Sequence, residues 1–388
     1  MTARLKISIL LIVIISLVVT LAYLKGNPTH QKATSSTTTS TTTTDAIPTI
    51  PQEVSHFQKD VSIFPEFFNT SEINNLLDLA AKAKVQVIST DVNFETIEPQ
   101  IKAYSWSNLD SFVRLVLAKG FKLKFQLEGF PDWARDPNRS PVSVEPWLVP
   151  TSQNELSNWS NFVRAVVSRY KGKIEYYEIW NEPNIESFFQ PFPDPAIYSN
   201  LLEASYSVIK SVDPNAQVMF AGLSRNDLGY LNTFYQATSQ RFGLQAKEDH
   251  FFFDILGVHP YCSSRSPEVN DPQYTYNDGF GIMNENFLGL IDLHQVMASF
   301  GDGAKHEYIS EFGYTTSGYV GFPAISDTLR ASYLHEAYDL ASSITYVDGL
   351  SWYAFEPTPY VADGWSILSS ASSGFQPTAT YAALVSAP

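Results

Sequence analysis

The stretch KIEYYEIWNEPN, residues 173–184, decides the fold because it places a polar turn directly behind a buried strand. Its first eight residues are rich in aromatic and β-branched side chains, which favours a strand. The turn that follows carries the carboxylate of Glu182. A second predicted strand, Glu307 to Ser310, is followed in the same way by Glu311. Two strands of this chain therefore end on a carboxylate.

Strands and helices alternate along the chain from about Ile47 onward. Strands separated by helices pair in parallel through right-handed crossovers, and about eight β/α units fit a closed (β/α)8 barrel, the TIM barrel. Strands are predicted near Val61 and at 85–88, 121–127, 173–180, 217–222, 253–258, 307–310 and 349–353, with helices at 69–84, 106–119, 159–170 and 195–212.

An open, doubly wound α/β sheet is the alternative architecture. Eight strands are long for such a sheet, and no G-x-G-x-x-G or phosphate-binding loop follows the early strands. Nucleotide binding therefore has no support in the sequence.

The chain begins with an apolar segment. Residues 7–24 carry no charge, and 18 helical residues nearly span a hydrocarbon core of roughly 30 Å. The segment is either an uncleaved anchor or a longer-than-usual signal peptide, and either places the rest of the chain outside the cytoplasm because Arg4 and Lys6 precede it. We predict a signal anchor or signal peptide at 1–25, a disordered Ser/Thr-rich linker at 26–46 and a barrel at 47–388.

The composition excludes several functions. The 388 residues carry a net charge of −15, so no positive field is available for nucleic acid. A single cysteine, Cys262, cannot form an internal disulfide or a Cys-rich zinc site, and the seven histidines show no metal-binding spacing. We therefore predict no metal or other cofactor, and membrane contact through the N-terminal segment only.

Carboxylates at the ends of barrel strands suit one reaction in particular. Functional side chains of a (β/α)8 barrel collect at the C-terminal ends of its strands. Glycoside hydrolysis needs two carboxyl groups in one cavity, one to protonate the leaving oxygen and one to attack the anomeric carbon or activate water. Glu182 and Glu311 are the candidates.

The sequence also resembles a known clan, the retaining (β/α)8-barrel glycoside hydrolases that include cellulases, mannanases and β-xylosidases. Residues 177–184, YEIWNEPN, resemble its acid/base motif after the fourth strand, and residues 308–313, YISEFG, resemble its nucleophile strand. Weaker matches lie at 96–99, 104–106, 131–134, 254–261 and at Trp352. The resemblance covers about residues 60–388.

The resemblance implies a role for each matching residue. Glu182 would be the general acid and then the general base, and must begin protonated; Glu311 would be the nucleophile and must stay ionised. Double displacement requires the two carboxyls about 5–5.5 Å apart. The remaining implied roles are a hydrogen bond from Asn181 to the sugar 2-hydroxyl, orientation of Glu311 by His259 and Tyr261, and stacking on sugar faces by Trp352 and Trp133.

One position departs from the clan pattern. The clan usually has an arginine at the end of the second strand, where this chain has Ser89. Such a cation helps to keep the nucleophile ionised. We hypothesise that Arg225, after the fifth strand, substitutes for it.

The best overall interpretation is a monomeric, extracellular or membrane-anchored retaining glycoside hydrolase that cleaves β-glycosidic bonds in poly- or oligosaccharides. A carbohydrate-binding surface protein on a hydrolase fold and a transglycosylase are the alternatives, because fold alone does not determine function. The sequence does not distinguish among sugars, or between endo and exo action.

Overall fold

The computed structural model describes residues 57–137, 147–277, 279–359, 361 and 364–388. Within those ranges, no helix is both long and apolar enough to cross a membrane. The predicted anchor or signal peptide at 1–25 and the linker at 26–46 lie outside the described residues, so both stay predictions.

Eight parallel strands close into a barrel, which confirms the predicted fold. Each barrel strand pairs with the next one along the chain, and the last pairs with the first. A small antiparallel hairpin, β7 (Thr275–Asn277) and β8 (Ile282–Asn284), interrupts this order after the sixth strand. The barrel strands are β1 (Gln58–Ser62), β2 (Val87–Asn93), β3 (Lys122–Glu128), β4 (Tyr176–Ile179), β5 (Gln217–Ser224), β6 (Ile255–His259), β9 (His306–Phe312) and β10 (Val347–Trp352).

Helices follow the strands and surround the barrel. The first of them is capped by Asn69, whose side chain accepts hydrogen bonds from two backbone N–H groups while Glu72 accepts from the Asn69 N–H. Within the described residues the helices are α1 (Thr70–Lys82), α2 (Phe94–Ile97), α3 (Ser107–Ala118), α4 (Gln153–Tyr170), α5 (Pro195–Val212), α6 (Leu228–Phe242), α7 (Leu244–Glu248), α8 (Leu290–Ser299), α9 (Asp327–Ser343) and α10 (Ala379–Ser386).

Two strands differ in length from their predictions. β4 is shorter than the predicted 173–180 because Lys173 still bonds back to Tyr170 in a turn and Trp180 has a φ of 77°. β2 runs well beyond the predicted 85–88, since polar Ser89 interrupts the apolar pattern but points into the barrel, where it bonds Asp60. Apolar periodicity thus underestimates a strand whose inner face is polar.

The barrel lumen has an apolar floor and a charged layer. Its floor is a cluster of Val87, Tyr176, Met219, Ile255 and Tyr308 from five different strands. The charged layer lies next to it, because Tyr308 also donates to Asp60 on β1, a strand that β9 does not pair with. Asp60, Lys124 and Glu178 make up this layer and are all buried. Buried charges cost free energy unless they are paired, so their contacts need explanation.

Glu307, on the outer face of β9, provides a test of burial energetics. It is fully buried, and neither carboxyl oxygen has a hydrogen-bond partner among the described residues. The nearest cation candidate is His294, 3.9 Å away on α8, and burial lowers the pKa of that imidazole. Burial raises the pKa of Glu307 well above its ordinary value, so the folded protein holds it neutral.

We expect Glu307→Gln to stabilise the protein near neutral pH. A group whose pKa is raised by folding contributes its stability below its unfolded pKa, and loses it as the pH rises toward the folded pKa. Gln is neutral at every pH and avoids this loss. The variant should melt at a higher temperature than the parent at pH 7 and show no such gain at pH 4. A variant that melts lower at both pH values would show that Glu307 is ionised and paired.

Candidate active site

Glu182 lies in a rigid turn just after β4. Its φ is 36°, an unusual value for a residue with a side chain, and the turn is held by its neighbours. Asn184 exchanges hydrogen bonds with the backbone of Ser224 on β5, at 3.1 and 3.0 Å. The Trp180 indole donates to the Phe188 carbonyl at 2.5 Å. These contacts direct the Glu182 carboxyl toward β6, where Nδ1 of His259 lies 3.1 Å from Oε1.

Glu311 lies near the end of β9 and is half-buried. The Tyr261 hydroxyl donates to its Oε1 at 2.5 Å. Burial and the charge of Glu182 raise the pKa of Glu311, whereas the charge of His259 and the Tyr261 hydrogen bond oppose that rise. The net direction is upward, so Glu311 depends on these two partners to ionise.

His259 contacts a different carboxyl from the one predicted. Its hydrogen bonds go to Glu182 and, through Nε2, to the Ser310 hydroxyl at 3.1 Å, whereas Glu311 acts on it only through charge. The expectation that it orients Glu311 is therefore corrected. A Cβ on Gly222 of β5 would lie 2.1 Å from the imidazole, so only glycine leaves room for this ring.

Asn181 is placed to bind a ligand. Its side chain is 92% buried beside Glu182, as its relative exposure is 8%. Its Oδ1 has no hydrogen-bond partner among the described residues. A buried amide oxygen without a partner costs free energy that a bound hydroxyl recovers. This agrees with the predicted contact to a sugar, although no ligand tests it.

Neither predicted stacking tryptophan faces an open cleft. Trp352 is fully buried and packs edge-on against Phe312 at 5.8 Å, so in this position it cannot stack on a sugar. Trp133 is half-buried and packs edge-on against Phe94 at 5.6 Å. Its indole N–H donates to the Glu98 carbonyl at 2.8 Å, so it holds the loop after β3 in place.

Tyr353 is the aromatic residue that the sequence analysis missed. It is half-buried, and the nearby charges of Glu311 and Glu182 contribute, after burial, to a raised pKa of its hydroxyl. Its neighbour Trp365 packs on it at 5.6 Å and on Tyr261 at 5.8 Å. Strand alternation could have found Tyr353, because it follows Trp352 and so points to the opposite face.

Arg225 does not replace the cation that is absent at Ser89. Its guanidinium pairs with Glu285 at 2.9 Å, on the loop after the hairpin, and Ser89 donates to Asp60. The buried cation in the barrel is Lys124 of β3 instead, 3.1 Å from Glu178 and 3.8 Å from Asp60. The Arg225 hypothesis is therefore wrong in its geometry.

Comparison with known proteins gives a consistent result. The family model described as glycosyl hydrolases family 39 matches residues 85–229. A family 39 glycoside hydrolase from the gut symbiont Bacteroides cellulosilyticus WH2 has a TM-score of 0.63 at 21% identity, with 87% of this chain and 65% of that chain covered. A monomeric β-xylosidase from Caulobacter crescentus CB15 has a TM-score of 0.61 at 15% identity, with 85% and 67% covered. Xylanase B from Clostridium stercorarium F9 scores 0.56 at 16%, with 85% and 96% covered. No curated protein sequence matches the chain.

The matched segment runs from before β2 to the start of α6 and includes Glu182. The chain belongs to the clan of retaining (β/α)8-barrel glycoside hydrolases. The structural neighbours alone show the shared fold, since each is at most 21% identical to this glycoside hydrolase.

Two further carboxyls line the mouth of this glycoside hydrolase. Asp91 on β2 is half-buried, and Glu128 at the end of β3 is buried and accepts from Gln126 at 2.9 Å. Burial, with the charges of Glu178 and Glu311, raises the pKa of Glu128 to about 7 despite the Gln126 hydrogen bond. Burial and the charge of Glu128 likewise raise the pKa of Asp91 well above its ordinary value. The mouth is therefore acidic, which disfavours an anionic sugar.

Proposed function

We propose that the protein cleaves β-glycosidic bonds of neutral sugars by double displacement, with Glu182 as acid/base and Glu311 as nucleophile. The observation that carries this proposal is one imidazole between two strand-end carboxyls. His259 bonds Glu182 at 3.1 Å and its pKa responds most strongly, after burial, to the charge of Glu311. Two carboxyls that act on one ring lie in one cavity, as hydrolysis requires.

The contacts divide the two roles. Glu182 shares a proton with His259, so it is suited to protonate the leaving oxygen. Glu311 accepts from the Tyr261 hydroxyl through Oε1, which stabilises its charge and leaves Oε2 for the anomeric carbon. Water then attacks the glycosyl-enzyme while Glu182 accepts the water's proton. Asn181 would hold the sugar 2-hydroxyl during both steps.

The acidic mouth supports a neutral substrate. Asp91 and Glu128 would repel a uronic acid, whereas hydroxyl groups can donate to both carboxyls. The titles of two similar structures name a β-xylosidase and a xylanase, so β-xylosides are the first substrates to test. An extracellular, monomeric enzyme with an N-terminal tether is part of the same proposal, and rests on the sequence of residues 1–46.

Aryl β-xylosides and β-glucosides, followed by xylan, test the proposal. Proton NMR of the first product should show the β-anomer before mutarotation, because double displacement retains configuration. An α-anomer as first product would rule out the nucleophile role of Glu311. Sugar binding with no turnover would favour the carbohydrate-binding alternative, and transfer to an added glycan in preference to water would favour the transglycosylase.

Tyr261→Phe should lower activity mainly on the acidic side of the pH profile. The variant removes a hydrogen bond that favours ionised Glu311, so the pKa of Glu311 rises further and a higher pH is needed to ionise it. The acidic limb of kcat/KM should move to higher pH, and kcat should fall by about tenfold or more. An unchanged acidic limb would mean that Tyr261 does not support Glu311 in catalysis.

A further inference from the structure

A chain of hydrogen bonds leads from Glu182 into the barrel lumen. Glu182 Oε1 lies 3.1 Å from His259 Nδ1, and His259 Nε2 lies 3.1 Å from the Ser310 hydroxyl. Ser310 in turn donates to Glu178 Oε1 at 2.7 Å, and Lys124 Nζ donates to Glu178 Oε2 at 3.1 Å. The chain thus crosses from β4 to β6, β9 and β3, and includes a residue that precedes Glu311 directly.

The direction of each hydrogen bond follows from what each group can donate. Glu178 accepts from the Gly222 N–H, from Lys124 and from Ser310, so it acts as a carboxylate with no proton of its own. Ser310 has one proton and gives it to Glu178. Its oxygen must therefore accept from His259, which requires a proton on Nε2. With Nε2 protonated, a neutral imidazole has only a lone pair on Nδ1.

Lys124 keeps Glu178 ionised. It is 2% exposed, and burial alone would lower its pKa, but the carboxylates of Glu178 and Asp60 outweigh burial and raise it. Lys124 therefore remains an ammonium inside the barrel. Asp60 is held by Ser89 at 2.7 and 2.6 Å and by Tyr308 at 3.1 Å, so the far end of the chain is closed as well.

We propose that Lys124, Glu178 and Ser310 are positioning residues that hold a proton on Nε2 of His259 and thereby keep the catalytic proton between Nδ1 and Glu182. The proposal rests on the proposed role of Glu182 as the acid. With Nε2 occupied, the proton shared with Glu182 lies either on the carboxyl, which donates to Nδ1, or on Nδ1, which donates to the carboxylate. In both cases the pair holds one proton ready for the leaving oxygen.

The proton balance through the reaction is closed. As the glycosidic C–O bond breaks, Glu182 gives the shared proton to the departing oxygen and becomes a carboxylate beside neutral His259. In the second step, water loses a proton to this pair as its oxygen bonds to the anomeric carbon and the bond to Glu311 breaks. The Nε2 proton stays on Ser310's oxygen as a hydrogen bond throughout, so nothing leaks toward Glu178.

Other charged groups around His259 act in the same direction. Burial lowers the pKa of the imidazole, but Glu311 on β9 and Glu182 and Glu178 on and after β4 outweigh it and raise the pKa. Tyr261, on the loop after β6, contacts the ring edge-on, and Lys124 of β3 lies beyond Glu178. The carboxylates thus favour retention of the shared proton, and the Ser310 contact decides which nitrogen carries the other one.

Ser310→Ala tests the relay, with Ser310→Thr as the variant that keeps the hydroxyl. Loss of the acceptor at Nε2 allows the neutral tautomer with its proton on Nδ1, which can only donate to an unprotonated Glu182. For nitrophenyl β-xylosides that need acid assistance, kcat/KM should fall by about tenfold and its basic limb should move to lower pH. Dinitrophenyl β-xylosides, whose leaving group needs no proton, should change much less. Ser310→Thr should restore the parent profile.

A matched control is available on α5. Ser205 is also fully buried, accepts from the Trp159 indole at 2.8 Å and donates to a backbone carbonyl at 2.7 Å. Ser205→Ala removes a comparable hydroxyl away from the barrel lumen, so it should lower stability without moving either limb of the pH profile. A similar pH shift in both variants would overturn the relay.

Nitrogen NMR of the ¹⁵N-histidine-labelled protein reads the tautomer without catalysis, with the His259 signals assigned by their loss in His259→Gln. The parent protein should show a protonated Nε2 at every pH at which it is folded, and Ser310→Ala should show Nδ1–H instead at high pH. A neutral Nδ1–H tautomer in the parent would overturn the proposal even if no variant folds. An inactive parent with the expected tautomer would contradict the proposed function and leave the relay geometry correct.

Discussion

Glu311→Gln is expected to lower kcat/KM on β-xylosides by about 10⁴-fold or more while leaving the fold intact. The amide cannot attack the anomeric carbon, so the covalent route closes. The loss should be seen equally with good and poor leaving groups, because both need the nucleophile in the first step. Steady-state rates on a dinitrophenyl and a nitrophenyl β-xyloside measure this.

Glu356 offers a matched control for that substitution. It is fully buried and accepts from the Phe64 N–H at 3.1 Å, and burial raises its pKa to about 8. At neutral pH the folded protein therefore already holds it protonated, and Glu356→Gln changes little in shape or charge. It should keep near-parent activity. If Glu311→Gln retained comparable activity, Glu311 would not be the nucleophile.

Glu182→Gln should produce a loss that depends on the leaving group. General acid catalysis contributes about 10²–10⁴-fold, and only where the departing oxygen is too basic to leave unprotonated. We therefore expect a loss of that size on nitrophenyl and disaccharide substrates, with a much smaller loss of the first step on dinitrophenyl β-xylosides. Pre-steady-state bursts separate the two steps.

Azide distinguishes loss of the acid/base from general damage to the site. In Glu182→Gln the glycosyl-enzyme accumulates because no base activates water, and a small anion needs no base. Added azide should restore turnover and give a β-xylosyl azide as product. A loss that is equal for all leaving groups and is not relieved by azide would contradict the assignment of Glu182.

The sequence was most informative where a residue type occurs at a fixed place in the fold. The barrel follows from alternating strands and helices, and Glu182 and Glu311 stand out because each comes after a strongly apolar strand. Tyr261 was also predicted beside Glu311, and its hydroxyl is 2.5 Å from that carboxyl. These residues are identified by local patterns, since the ends of parallel strands meet at one face.

Contacts across the barrel could not be predicted in the same way. The lumen brings Lys124 of β3 to Glu178 of β4 and to Asp60 of β1, and no local pattern indicates which polar residues on separate strands will meet. The error at Trp352 has a different cause. The strand turns each successive side chain to the opposite face, so an offset of one residue exchanges Trp352 for Tyr353.

The most direct test of the account is to identify the residue that becomes glycosylated. A 2-deoxy-2-fluoro-β-xyloside with a dinitrophenyl leaving group should react once per molecule and then stop, because fluorine slows the second step more than the activated first step. Mass spectrometry of the digested protein should place the added sugar on Glu311. A label on Glu182, Glu128 or Asp91, or an active enzyme that forms no adduct, would contradict the account.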